Sequence, residues 1–208
     1  MKTSLSRRLL LGTVTAFGLM LHVAQPAAAA ETASAFVHQL GDKLVTIVNS
    51  PLTPEQKKEK VLPILQSDVD VDAIAKFCLG RYWRVATPEQ QAEYLKLFRQ
   101  VLVNTISDKL GAYRGVSFTI GATTQSGEEQ AVATVLHRPQ QPDANMQWII
   151  SQSTGMPKVV DVIGEGASLR LTQQQDYSSY IQQKGGKVEA LINGLKHQIE
   201  RHSAPKND

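Results

Sequence analysis

Alternating acids, scattered histidines and a lone thiol are the side chains from which this sequence would have to build catalytic or metal chemistry. Asp68, Asp70 and Asp72 start like a calcium loop, but Ala73 stands where glycine is required and Leu79 where a bidentate glutamate is required. Three carboxylates ahead of an apolar run suit a helix N-terminus instead. His197 and His202 are five apart, so a helix turns them to different faces, and His38 and His137 stand alone. There is no Gly-x-Ser-x-Gly elbow, and neither Ser153 nor Ser168 has an obvious local histidine or acid partner. Gly164-Glu165-Gly166 lacks the third glycine and the following lysine of a phosphate cradle. Asp161 and Glu165 are the best acid pair, suited to general acid–base work if they meet in a cleft. An acid at a strand end and another in a glycine turn more often cap backbone or face water.

Cys78 sits at helical spacing from Val71, Ile74 and Ala75, which marks it as a small buried hydrophobe rather than a nucleophile. Arg81-Tyr82-Trp83-Arg84 interleaves cations and aromatics. Such a cluster can hold a lipid headgroup or an acidic partner, or can pack its arginine stems at a helix end.

These side chains need elements to position them. Phe36, Leu40, Leu44, Ile47 and Val48 form one stripe of a helix over 32–49, ended by Pro51. Thr53-Pro54-Glu55-Gln56 is a capping box with proline at the first helical position, and Pro63 is expected to bend or shorten the helix that follows. One of Asp68, Asp70 and Asp72 caps the next helix, which stops at Gly80. Thr87-Pro88-Glu89-Gln90 opens the strongest helix, with Tyr94, Leu97, Phe98, Val101, Leu102, Ile106 and Leu110 in register and Gly111 as its stop.

From Val116 the period changes to two. Strands are expected from 116, over 131–137, over 146–150 and over 159–163, joined by turns at Ser126-Gly127 and 154–157 and by a proline-bearing loop over 138–145. Helices return over 171–183 and, after Gly185-Gly186, along Val188, Leu191, Ile192, Leu195 and Ile199, leaving a frayed tail. The fold class is therefore α+β, a four-stranded antiparallel meander between N-terminal and C-terminal helices, with the long helix after Thr87 backing one face of the sheet.

The 208 residues are 42% hydrophobic and 20% charged with one cysteine, which excludes a disordered chain, a collagen and a disulfide scaffold. A basic start with Lys2, Arg7 and Arg8, an apolar stretch over 9–24 and alanines over 27–30 make an export signal with cleavage expected after Ala30. Arg7-Arg8 leaves the general secretory and twin-arginine routes both open. The signal carries three basic residues and no acid, so the formal +3 of the whole chain becomes 19 basic against 19 acidic residues beyond it. No excess cation is left to displace phosphate counterions, which excludes nucleic acid as the partner on global charge. No later segment has the 18 or so apolar residues of a membrane span.

The export signal, the helix opening after Thr87, the meander and the run Val160-Asp161-Val162-Ile163-Gly164-Glu165-Gly166-Ala167-Ser168-Leu169 together resemble the MlaC family of periplasmic phospholipid-binding proteins, auxiliary components of an ABC transporter. Leu79-Gly80-Arg81-Tyr82-Trp83-Arg84 and Leu169-Arg170-Leu171-Thr172-Gln173-Gln174-Gln175-Asp176-Tyr177 look similar to its hopanoid-associated branch, HpnM. Gly164 departs from the broader pattern by lengthening the strand-end turn, so single lipid contacts are not carried over.

The resemblance implies a sheet and helices around an apolar cavity for acyl chains, no catalytic residue, no cofactor, no metal, and a monomer. The implied task is carrying phospholipid or hopanoid across the periplasm between inner- and outer-membrane transport complexes. Each methylene exposed to water on the way costs about 0.8 kcal/mol. The expected layout is an export segment over 1–30, one lipid-binding domain over 31–203, with helices over 32–111 and 169–202 and strands over 116–163, and a disordered tail over 204–208. The candidate lining is Phe118, Ile120, Trp148, Ile150, Val160 and Val162 from the sheet, with Leu97, Phe98, Val101 and Leu102 opposite. Ordinary core would use the same residues; Ala131 and Ala133 leave room beside them. Arg81 and Arg84 are the candidate headgroup or partner contacts. Two alternatives remain, an exported enzyme with Asp161 as acid or base in an apolar pocket, and an adaptor with no ligand cavity.

Overall fold

Two threonines open the helices that frame the molecule. In the computed structural model, which describes residues 26–110 and 113–204, Thr53 Oγ1 accepts from the Gln56 amide at 3.3 Å while Gln56 Oε1 accepts from the Thr53 amide at 3.0 Å. Thr87 and Gln90 repeat the exchange at 3.2 and 3.1 Å. Each pair satisfies two backbone donors that a helix start otherwise leaves unpaired. They begin α2 (Pro54–Asp68) and α4 (Pro88–Leu110), with α1 (Pro26–Asn49) ahead of them. Between them, Asp70 accepts from the Ala73 amide at 2.9 Å to cap α3 (Val71–Leu79), which leads into a 3-10 turn (Gly80–Arg84). Pro63 lies within α2 and does not shorten it; the carbonyl to which it cannot donate, on Glu59, is on an exposed stretch.

The sheet runs β1 (Ser117–Ser126), β2 (Glu129–His137), β3 (Ala144–Ser151), β4 (Lys158–Gly164) and β5 (Ala167–Ser168), side by side in that order and antiparallel throughout. The class is α+β as expected, with five strands in place of four. The extra strand is two residues long, too short for a period of two to register. It folds back through Glu165 and Gly166, whose φ angles of 49° and 82° make the tight hairpin turn that needs both central residues left-handed. Helices α5 (Leu169–Gln183), capped by Ser168, and α6 (Val188–Ser203) complete the chain.

It is α1, not α4, that backs the sheet. Helix α1 lies across β1 and β2, and α4 packs against α2, α3 and α6. The reason is visible in side-chain size. Gly41 lets α1 lie so close that the Phe118 ring occupies the space its Cβ would take, and Ala33 is fully buried nearby. Helix α4 instead carries Tyr94 and Phe98, whose rings meet Tyr177 of α5 edge-on at 6.3 and 6.4 Å, and the Tyr94 hydroxyl donates to the Ala75 carbonyl at 2.8 Å.

The apolar interior is consequently divided. One cluster joins α1 and the sheet through Val37, Leu40, Ile64, Val132, Ile150 and Val159. A second is helical, built on Cys78, Leu79, Tyr94, Phe98, Ile181 and Ile192. A third, of Val48, Val61, Leu65 and Val116, ties α1 and α2 to the start of β1. There Asn49 donates to the Val116 carbonyl at 2.8 Å and accepts from its amide at 3.1 Å. The segment 1–25, which holds most of the expected export signal, and residues 205–208 of the expected tail lie outside the described residues. No helix among the described residues is long and apolar enough to cross a membrane.

Candidate functional site

Lys58, Leu62, Leu65 and Gln66 recur at helical spacing along one side of α2, and Lys96, Arg99, Gln100 and Val103 do the same along α4. Where these faces come together, a cleft of about 700 Å³ opens, within the roughly 300–1,000 Å³ typical of small-molecule sites. Leu62, Leu65, Val69, Val71, Leu102 and Val103 supply its apolar lining. The three clusters described above reach it, since Leu65 and Val103 belong to the third, Val71 and Leu102 pack on the helical one, and Val69 touches the sheet cluster. The Asp70 amide donates to the Val159 carbonyl at 2.9 Å, and Val69 bridges Val159, so the link between α2 and α3 is fastened to the sheet beside the cleft.

The polar lining is charged. Lys58, Lys96, Arg99 and Lys158 contribute cations, Asp70 and Asp72 carboxylates. Arg99 grips Asp72 through Nε at 3.0 Å and through Nη2 at 2.6 Å to each carboxylate oxygen. Lys58 donates to the Asn104 side-chain oxygen at 3.2 Å and Lys158 to the Ser67 carbonyl at 3.0 Å. Leu102 is the one candidate lining residue of the sequence reading that the cleft includes.

The description of the MlaC protein family matches residues 38–197. The chain belongs to the MlaC family. It is also similar to a solved structure of a phospholipid-binding protein from Ralstonia solanacearum in complex with a phospholipid, at 20% sequence identity and a TM-score of 0.72 over 83% of this chain and 99% of that one.

In this MlaC chain the other candidate residues divide between the interior clusters. Leu97, Phe98 and Val101 are buried in the helical cluster, away from the sheet they were expected to face. Ile120, Trp148, Ile150 and Val162 lie under α1 with Phe118, whose ring meets His38 edge-on at 5.9 Å. Val160 is on the opposite face, packed with Ala131 and Ile149. A bulge causes the difference. Ile149 pairs with Asp161 and Ile150 with Val159, so Val160 is the unpaired extra residue and the alternation resets around it. Arg81 lies over the Tyr82 ring at 5.0 Å and donates to its hydroxyl at 3.0 Å, and neither it nor the exposed Arg84 lines the cleft. The cleft lysines and Leu62 escaped the sequence reading because α2 and α4 have no mutual signal in one dimension; the recurrence of Lys58, Leu62 and Leu65 was the available clue.

Asp161 and Glu165 do not form a pair. Asp161 Oδ1 accepts from the Val162 and Arg170 amides at 2.8 and 3.0 Å, its Oδ2 from Ser168 Oγ at 2.5 Å, and Arg170 Nε stands 3.5 Å away. Glu165 accepts from the Asn145 amide at 2.9 Å. Arg170 also grips Glu129 at 3.0 and 2.8 Å and covers the Phe77 ring at 4.7 Å; the Glu129 bond raises its already high pKa. This is a latch between β4, the start of β2 and α5. Cys78 is buried beside it, and burial, reinforced by the Asp161 charge, pushes its thiol up to about 12. Among the described residues, no group of three or more His, Cys, Asp and Glu gathers as a metal site would need.

Proposed function

We propose that this MlaC chain is a periplasmic lipid carrier that holds acyl chains in the cleft between α2 and α4. The observation that carries the reading is the meeting of three apolar clusters at one open cleft with a charged rim. Chains entering there extend the interior without breaking a hydrogen-bond ladder, and the headgroup stays at the polar edge. Family membership and the phospholipid complex of the similar Ralstonia protein support the ligand class. A cleaved export signal over 1–30, a monomeric domain over 31–203, exchange with inner- and outer-membrane transport complexes, and a place near the hopanoid branch are parts of the same proposal. A carrier is favoured over an enzyme because the Asp161 oxygens already hold four partners in the β4–α5 latch.

Native purification followed by lipid mass spectrometry tests the reading. Lipid should accompany the wild type in a stoichiometric amount, and Leu62→Glu, which puts a charge on the apolar lining, should strip it while leaving the circular dichroism spectrum intact. A wild type that carries no lipid and takes none up from vesicles overturns the carrier.

A further inference from the structure

Four cations line the cleft against two acids, in a chain whose charges otherwise balance beyond residue 30. Their bonding decides how much charge is left for a ligand. Arg99 and Asp72 cancel in their bidentate pair. Asp70 is held by the Ala73 amide as the cap of α3. Lys58 and Lys158 each donate to a neutral oxygen, which satisfies one N–H and leaves the ammonium charge whole. Lys96 is exposed and has no ion-pair or hydrogen-bond partner among the described residues. Three ammonium groups from three elements, α2, α4 and the start of β4, thus face one cleft against the single remaining carboxylate of Asp70.

We propose that Lys58, Lys96 and Lys158 form a phosphate-recognition site that selects lipids with a net negative headgroup over zwitterionic and uncharged ones. The inference rests on the cleft being the lipid site and deepens that reading by naming its headgroup class. These ammonium groups carry whole charges with no carboxylate paired to them among the described residues, and an anionic phosphate at the rim accepts charge-assisted hydrogen bonds from them. A headgroup carrying its own amine brings a fourth cation to the same place and gains less. An uncharged polycyclic lipid gains nothing.

The full chain, delipidated, is offered vesicles of phosphatidylglycerol, phosphatidylcholine or phosphatidylcholine doped with diacylglycerol, and the lipid transferred to the protein is quantified by mass spectrometry. The wild type should favour phosphatidylglycerol by about tenfold, the scale expected of a few lysines near an anionic headgroup. The preference should shrink at about 1 M salt, where the screening length falls to about 3 Å. The triple variant Lys58→Gln, Lys96→Gln, Lys158→Gln should lose the preference, its phosphatidylglycerol loading falling to the level of its phosphatidylcholine loading while its circular dichroism spectrum stays that of the wild type. Equal loading by the wild type, or a triple variant that keeps the preference, overturns the headgroup assignment while the carrier stands. Failure to load any lipid overturns both. A competition arm with glycerol 3-phosphate separates the two sources of phosphate. It should displace phosphatidylglycerol only far above the lipid's own concentration, and equal potency would make the rim a site for soluble phosphate and overturn the lipid assignment.

Discussion

Cys78 shows what a residue can disclose of its surroundings. Its spacing from Ile74 and Ala75 placed it on an apolar stripe, and it is fully buried there. Its Sγ donates to the carbonyl of Arg170 at 3.5 Å, 92 residues away, a contact no local pattern contains. The raised pKa has a thermodynamic consequence with a definite sign. The folded protein keeps the thiol proton up to about pH 12, whereas the unfolded chain releases it from about pH 9. Stability from this group is therefore complete below pH 9 and falls as pH rises toward 12. Tyr94 and Tyr177, also pushed upward chiefly by burial, act in the same direction above pH 10. Denaturant unfolding between pH 8 and 11 should show declining wild-type stability. Cys78→Ala should show a shallower decline, with a loss of about 1 kcal/mol at pH 7. Native Cys78 should resist alkylation at pH 8.5 and react once unfolded. Ready labelling of the native protein would mean that the thiol is not held as described.

Among the elements, helices α2, α4 and α6 were legible because capping boxes and apolar stripes are local, and the strands because alternation is local. Which helix lies on the sheet was not legible, since α1 and α4 both carry a stripe of the right period. What separates them is bulk, Gly41 and Ala33 on α1 against Tyr94 and Phe98 on α4. The bulge at Val160 is invisible for a related reason, because two successive valines in β4 satisfy any alternation, and only the partner strand fixes their faces. Gly41→Ala tests the close approach of α1. Alanine raises intrinsic helix propensity by about 1 kcal/mol. Against that, the new Cβ falls on the Phe118 ring, an overpacking that costs about 1–3 kcal/mol. The expected result is a net loss of stability in Gly41→Ala. A double-mutant cycle with Phe118→Leu should recover part of it through a favourable coupling. A more stable single variant would mean that Phe118 moves aside freely and that α1 does not depend on glycine for its seat.

At the scale of the molecule, a divided interior is the feature from which the cleft follows. A single core would bury Leu62 and Leu102; three clusters that meet imperfectly leave them as walls. Of the apolar walls only Leu102 was a candidate in the sequence, because core and wall share one chemistry and their sorting waits on packing. Phe98 and Leu62 now separate the two roles. Phe98 is buried in the helical cluster against Tyr94 at 5.8 Å and Tyr177 at 6.4 Å, so Phe98→Ala should cost about 3–5 kcal/mol whether or not lipid is bound. Leu62 is half-buried on the cleft, so Leu62→Ala should cost little in the delipidated protein. Bound lipid stabilises the folded state by mass action, by about 2.7 kcal/mol at a hundredfold excess over the dissociation constant. Leu62→Ala should lose part of that increment through weaker binding, whereas Phe98→Ala should keep it. The measurement is denaturant unfolding of wild type and both variants, delipidated and reloaded to measured occupancy. If the increment survives Leu62→Ala intact and disappears in Phe98→Ala, the acyl chains enter the helical cluster, and the cleft between α2 and α4 is only its surface.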